Sequence, residues 1–287
     1  MRSDIYINEV VSKCEVLVKS GLWDDHEKLR VRGWLNNFDE VDKYIAAKLL
    51  DRFIYYSNKH TDALLKAAYN SIGADQDKSL CNMLDDVIFT PVTGEEPNPT
   101  DSGHLICRKV RQLFNIPEAQ IVDQPTALAF AKQGKTIIFL DDFVGSGQQF
   151  EKTWIRGIDG DSFKKLNSHT NFNAIYLTIL STEIGKKHIE SVAPQVKLLM
   201  AHVITDNYKV QNINFGDITQ NQISAFLMKY APRLTPREQY MQNLNSKMYG
   251  FTLKGLLFSF EHSVPDATLP IFWSPGNDGW IPLIERS

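Results

Sequence analysis

The chain predicts an α/β fold: an open parallel sheet with a helical region before it and a covering segment after it. Three observations carry that prediction. From about residue 84 onward, short apolar runs alternate with amphipathic stretches in strand–helix order. Ile137-Ile138-Phe139-Leu140 and Asn173–Leu180 are apolar nearly throughout, as strands covered on both faces of a parallel sheet must be. The residues before Asp75 follow a helical spacing of three and four instead.

Taken in order, Phe38, Val41, Ile45, Leu49, Phe53 and Tyr56 step along one helix face. Thr61-Asp62 can cap a helix over Ala63–Ile72 that stops near Gly73. The polar stretch Asp75–Lys78 marks a boundary, giving a helical region 1–80, an α/β core 81–210 and a C-terminal cap 211–287. Arg30, Arg32 and Trp34 precede these helices. They could reach a ligand, but a packed Trp and solvated arginines are the simpler expectation. In the core, Val87–Thr90 reads as a strand, Pro91–Asp101 as a polar loop, and Asp101 or Ser102 as the cap of a helix burying Leu105, Ile106, Val110 and Leu113. Ala119–Val122 reads as a strand and Pro125–Lys132 as a helix. Lys135–Asp142, Asn173–Leu180 and Val196–Ile204 are further strands, with helices over Gln148–Ile155 and Glu183–Val192. This alternation implies right-handed crossovers. Leu257–His262 has strand character with no evident place in the sheet, and Pro265–Trp273 is rich in proline and aromatics.

Composition narrows the function classes. Of 287 residues, 43% are hydrophobic and 23% charged, ordinary for a globular protein, and the net charge of −3 gives no broad attraction to nucleic acid. No apolar run approaches the roughly 20 residues a membrane span needs, and Met1-Arg-Ser-Asp-Ile lacks a signal-peptide core. Cys14, Cys81 and Cys107 are scattered and odd in number. They suggest a reducing, cytoplasmic setting and no zinc site, each more a small core residue than a nucleophile.

The chemistry concentrates in Asp141-Asp142-Phe143-Val144-Gly145-Ser146-Gly147 at the carboxyl end of the 135–142 strand. Ligands of open α/β sheets bind beyond those strand ends. A loop opening a helix presents N–H groups and a positive dipole end to a phosphate, glycine lets the backbone approach it, and paired carboxylates suit vicinal hydroxyls. Rival readings fail on context. Gly134-Lys135-Thr136 would need Gly at 129, where Ala stands, and it precedes a strand rather than a helix. A dinucleotide fingerprint would need a third glycine where Phe150 stands. An Asp-x-Asp phosphatase site is broken by Phe143, and a Walker B strand has no Walker A to serve. A buried strand ending in a solvated acidic turn remains the plain alternative.

With those residues in view, the segment resembles the ribose-phosphate loop of type I phosphoribosyltransferases: an apolar strand, two acids, two apolar residues, then small, Ser/Thr, Gly, any residue, Ser/Thr. The resemblance implies a Rossmann-like sheet of that kind. It implies that Asp141 and Asp142 bind the ribose hydroxyls of phosphoribosyl pyrophosphate (PRPP) and meet Mg²⁺. It implies too that Val144, Gly145, Ser146, Gly147, Gln148 and Gln149 cradle the 5′-phosphate. Gln149 departs from the pattern, standing where that family places a hydroxyl residue. In the same family a loop after an early strand takes the diphosphate, which points to Thr93, Gly94, Ser102, Gly103 and Arg108 here, although Glu95 and Glu96 make the loop acidic. The Trp34–Tyr56 region together with the Pro- and aromatic-rich ending resembles a divergent phosphoribosyltransferase-like family found beside bacterial conflict and anti-phage systems. His262 could line the site and Trp273 could stack on a base, against the plainer expectation that both are structural. Three functions follow as expectations: phosphoribosyl transfer from PRPP, or cleavage of a related ribosyl phosphate, with Mg²⁺, in which positioning and electrostatics replace a nucleophile; sensing of PRPP or a nucleotide without turnover; and a defence effector held by proteins of its operon.

Overall fold

The computed structural model describes residues 2–25, 27–72, 86–94, 98, 101–170, 172–238 and 241–286. Helices α1 (Arg2–Lys19), α2 (Val31–Leu35) and α3 (Lys43–Asp51) lead to the short strand β1 (Ile54–Tyr56) and to α4 (Asn58–Asn70). The alternating region runs β2 (Val87–Pro91), α5 (Ser102–Phe114), α6 (Gln124–Lys132), β3 (Thr136–Val144), α7 (Gln148–Ile155), α8 (Phe163–Asn167), β4 (Ala174–Thr182), α9 (Glu183–Val192) and β5 (Lys197–Ile204). Helices α10 (Gln220–Tyr230) and α11 (Leu244–Tyr249), strand β6 (Phe258–Phe260) and helix α12 (Pro270–Trp273) follow. The chain divides into two compact units, Thr61–Thr205 and a second made of Met1–His60 with Asp206–Ser287.

In the Thr61–Thr205 unit, four parallel strands lie in the order β2-β3-β4-β5. Each step from β3 onward moves the same way across the sheet, so right-handed crossovers place the connecting helices on one face. One buried cluster accordingly gathers Ala127 and Leu128 of α6, Phe150 and Trp154 of α7, Phe163 of α8 and Ile189 of α9 over Ile137, Phe139 and Tyr176. Each such large side chain, taken from water, stabilises the fold by about 1.5–3 kcal/mol. Residues 119–122, expected as a strand, instead form a 3₁₀ turn (Glu118–Gln120) and a single parallel bridge from Ile121 to Phe89. Too few residues there can alternate against β2, and Pro117 starts the turn. That bridge still decides the topology. The chain steps outward from β2 to Ile121, then returns across β2 to β3, so the winding direction reverses between β2 and β3. Such a reversal opens a crevice beyond the carboxyl ends of the two strands.

The other unit is held by aromatic packing. Strands β1 and β6 pair in parallel, Ile54 with Phe258 and Tyr56 with Phe260, which gives the 257–262 run its place outside the main sheet. Trp34 is fully buried, stacks on Phe272, and donates its Nε1–H to the Ile271 carbonyl at 2.7 Å. Trp273 is buried and donates to the Thr268 carbonyl, and the His262 ring stacks on Phe260. Arg30 and Arg32 pair with Glu285 and Glu15. All five side chains thus have structural partners.

Two further expectations are corrected. The helix face from Phe38 to Tyr56 is not continuous: α3 covers only Lys43–Asp51, Val41 is 82% exposed, and Tyr56 lies in β1. Phe38 and Phe53 are buried from outside the helix, so apolar spacing reported burial rather than one element. Helix α4 begins at Asn58, leaving Thr61 inside it and fully buried instead of capping it. The Asp75–Lys78 boundary, Glu95, Glu96 and Cys81 lie outside the described residues. Cys14 and Cys107 are buried free thiols whose pKa values burial pushes up to about 12, unlike reactive thiols. Among the described residues, no helix is long and apolar enough to cross a membrane.

Candidate ligand site at the carboxyl ends of β2 and β3

The acidic pair does not end its strand. β3 continues to Val144, with Asp141 opposite Thr178 and Phe143 opposite Leu180 on β4. Both carboxylates are therefore buried, Asp141 2% and Asp142 5% exposed, rather than standing at an open strand end. Strand alternation sends them to opposite faces. Asp141 is engaged from three sides. One oxygen accepts from the Asp142 backbone N–H at 2.9 Å and from the Ser102 hydroxyl at 3.3 Å; the other accepts from the Tyr176 hydroxyl at 2.9 Å. Burial, and then the charge of Asp142, push its pKa well above the usual carboxylate range. Burial and Asp141 likewise raise the Tyr176 phenol. Phe150 of α7 stacks on Tyr176 with ring centroids 4.2 Å apart, locking this network under the helix.

The loop beyond is fitted against α9. Gly147 has φ +83°, and a Cβ there would lie 2.9 Å from the Gly185 carbonyl, 3.1 Å from His188 and 3.2 Å from Ile189. Its glycine is required by conformation and by packing on α9, a reason that the motif alone did not suggest. Gly185 is the reciprocal case, since its Cβ would strike the Gly145 carbonyl at 2.5 Å. Thr182 caps α9 by accepting from Gly185 N–H and donates its hydroxyl to the Gly145 carbonyl at 2.6 Å. Beside the loop, His188 of α9 meets Glu151 of α7 at 2.7 Å. Val144 is buried, Gly145, Ser146 and Gln149 are half-buried, and Gln148 is exposed. The Ser146 hydroxyl accepts from Gln148 N–H at 3.3 Å, and the next N–H groups of α7 have no acceptor in their own helix.

The loop after β2 is held differently. Thr93 is buried, and its hydroxyl accepts from Gln124 at 3.0 Å and from Arg156 at 2.7 Å. Arg156 also donates to Gln124 Oε1 at 2.8 Å and to the Gly94 carbonyl at 2.6 Å. Asp101 accepts the N–H groups of Gly94 and Asn98. Ser102 and Gly103 start α5 hard against the sheet, where a Cβ on Gly103 would lie 2.3 Å from the Val92 carbonyl. The structure thus gathers Thr93, Gly94, Ser102, Gly103 and Asp141 around the β2 and β3 ends. Gly145–Gln149 lie at the other end of α7, about 12 Å away along its eight residues. Arg108 is exposed and lies about 9 Å down α5 from Ser102, away from these loops. Tyr176, Arg156 and Gln124 escaped the sequence reading. A phenol inside an otherwise apolar strand was the one available signal.

A magnesium site was tested on the donor set. Both Asp141 oxygens are committed to protein donors, and among the described residues no group of three or more His, Cys, Asp or Glu comes together. Asp141 as placed does not fit a metal ligand, and the described residues form no cage of hard oxygens around it.

A parallel sheet with a winding reversal, and a Gly-Ser-Gly turn opening the helix after its central strand, define a phosphoribosyltransferase-like protein. Residues 31–286 match the model of the PRTase-CE family, and the chain belongs to that family, a divergent phosphoribosyltransferase-like group. No protein with a curated description matches the chain. Among solved structures, one described as the AQ2163 protein from Aquifex aeolicus is similar at 12% identity and a TM-score of 0.35, over 61% of this chain and 83% of that one.

Proposed function

We propose that the protein binds a 5-phosphorylated ribose, with PRPP the leading candidate, at the carboxyl ends of β2 and β3. The observation that supports this most is the Gly145–Gly147 turn, which opens α7 directly beyond the carboxyl end of β3. The N-terminal N–H groups of α7 suit a phosphate. Asp142, two residues before the end of β3, is the carboxylate proposed to orient ribose hydroxyls. Mg²⁺ is proposed to arrive on the diphosphate of the ligand rather than on a resident cage.

One observation favours recognition without turnover: Asp141 is turned inward onto Tyr176 and Ser102, so its carboxyl serves the fold. Calorimetric titration with PRPP plus Mg²⁺ and with ribose 5-phosphate tests the binding, and an assay for released pyrophosphate tests the turnover. Binding is expected with both ligands, unchanged or improved in Gln149→Thr, where the shorter side chain restores a hydroxyl to the loop. Failure of wild type and Gln149→Thr to bind either ligand or any nucleoside monophosphate would return residues 141–147 to a structural turn. Pyrophosphate release with an acceptor base would instead make the protein a transferase. A role in anti-phage defence belongs to the same proposal, and phage plating efficiency with and without the intact gene tests it.

A further inference from the structure

We infer that Lys254 is a site of reversible carbamate formation, at which the side-chain amine takes up carbon dioxide. The site belongs to the unit made of Met1–His60 with Asp206–Ser287, and it does not rest on the ribose-phosphate reading. Lysine is almost never fully buried unless it is paired. Lys254 is nonetheless only 5% exposed. The charges that act on it are those of Lys209 and Asp206, and these two already pair with each other at 2.8 Å. Burial, and then the charge of Lys209, hold the Lys254 amine below the usual lysine value, against a smaller opposing pull from Asp206. More of the amine is therefore neutral than on a solvated lysine, and the neutral form is the nucleophile.

The backbone fixes this arrangement. Thr252 and Leu253 stand at φ +52° and +55°, between Gly250 at +76° and Gly255 at +57°. Left-handed backbone at non-glycine residues persists where the surroundings over-determine it, and it gathers at functional sites. Here Gln211 Nε2 donates to the Leu253 carbonyl at 3.0 Å, Gly255 N–H to the Tyr249 carbonyl at 2.7 Å, and Val210 N–H to the Gly255 carbonyl at 2.9 Å. Gln211 Oε1 is buried against the same turn with no donor among the described residues, so the protein does not satisfy every polar group there. A cleft of about 510 Å³, lined in part by Gly250, Phe251, Thr252 and Leu253, borders the turn.

A side chain this enclosed admits only a small electrophile, and the charge of the product selects among those. The nitrogen lone pair attacks the carbon of carbon dioxide. An N–C bond forms as one C–O π pair moves onto oxygen, and a proton leaves the nitrogen for water. Nothing is oxidised or reduced. The product is an anion where a cation stood, so repulsion from Lys209 becomes attraction. An aldehyde would instead leave a neutral or cationic imine, which gains nothing from Lys209.

The test incubates the full chain with carbon-13-labelled bicarbonate near neutral pH, traps carbamates by ethylation with a trialkyloxonium salt, and maps the adducts by peptide mass spectrometry. The labelled adduct is expected on Lys254 at severalfold the occupancy of any other lysine, and it is expected to be lost in Lys254→Arg. In Lys209→Gln the occupancy at Lys254 is expected to fall about threefold or more, because the cation that favours both the neutral amine and the carbamate is gone. No adduct on Lys254, or one no greater than on the exposed lysines, would overturn the inference. Undiminished occupancy in Lys209→Gln would overturn it too, since the charge argument would then be wrong. Should either variant not fold, the distribution of adducts over the lysines of wild type decides.

Discussion

Toward the end of β3 the carboxyl of Asp141 faces the protein, held by Tyr176, Ser102 and a backbone N–H. After β2 the charge is Arg156, set among neutral oxygens. The first arrangement sets a carboxyl among hydrogen-bond donors; the second sets a guanidinium among neutral acceptors, with no ion pair among the described residues. The motif drew attention to the β3 end because two carboxylates are conspicuous there. The difference teaches that a carboxylate's neighbours, rather than its place in a motif, decide whether it meets a ligand or supports the fold.

The strongest way to break this comparison is through the glycines. Gly147→Val forces a β-branched residue into φ +83° and against the Gly185 carbonyl, His188 and Ile189. A loss of about 3 kcal/mol or more is expected, measured by urea unfolding. Near-wild-type stability would refute the packing account of this turn.

The Asp141 network comes next. Asp141→Ala leaves the Tyr176 hydroxyl and the Asp142 N–H without their acceptor and is expected to cost about 2–3 kcal/mol. Asp141→Asn resembles the protonated carboxyl and should cost less than about 1 kcal/mol. Because the folded pKa of Asp141 is raised, the folded state binds the proton more tightly than the unfolded chain does. Its contribution to stability is full below the unfolded value of 3.8 and declines as pH rises from there through the folded pKa. Wild type should therefore lose stability relative to Asp141→Asn over that window. Urea midpoints of the two proteins that run parallel across the pH range would sink the assignment.

Thr93→Val sharpens the other side of the comparison. It removes the oxygen that accepts from both Gln124 and Arg156, so about 1–2 kcal/mol should be lost, along with order in the loop. A thermal melt identical to wild type would show the network to be slack. The smallest effects are expected for Ser146→Ala and Arg108→Ala, each within about 0.5 kcal/mol in stability. The Ser146 hydroxyl makes only local bonds of 3.3 and 3.5 Å. If Ser146→Ala were as destabilising as Gly147→Val, the hydroxyl rather than the backbone would hold the turn.

Much of the architecture was legible because it rests on local rules. Helices α7 and α9 begin and end where apolar spacing and the residues preceding them put them, and β3 and β4 announce themselves by length and apolar character. The candidate loop was legible for the same reason, since Gly145-Ser146-Gly147 is a local signal. Its surroundings were not. That Gly147 must be glycine depends on Gly185 and Ile189, some forty residues on. The inward turn of Asp141 depends on Tyr176, and the charge at Thr93 on Arg156.

By itself, the sequence determined the alternation of strands and helices, the family-like turn after β3 and the absence of a long apolar span. Periodicity and turn chemistry act within a few residues and need no partner. Only the tertiary structure decided that Ile121 bridges outside β2, which reverses the winding and opens the crevice. It alone paired β1 with β6, buried Asp141, and placed Arg156 against Gly94. Burial, hydrogen-bond partners and charge balance are properties of what lies nearby in space, and the sheet brings together residues that the chain keeps far apart.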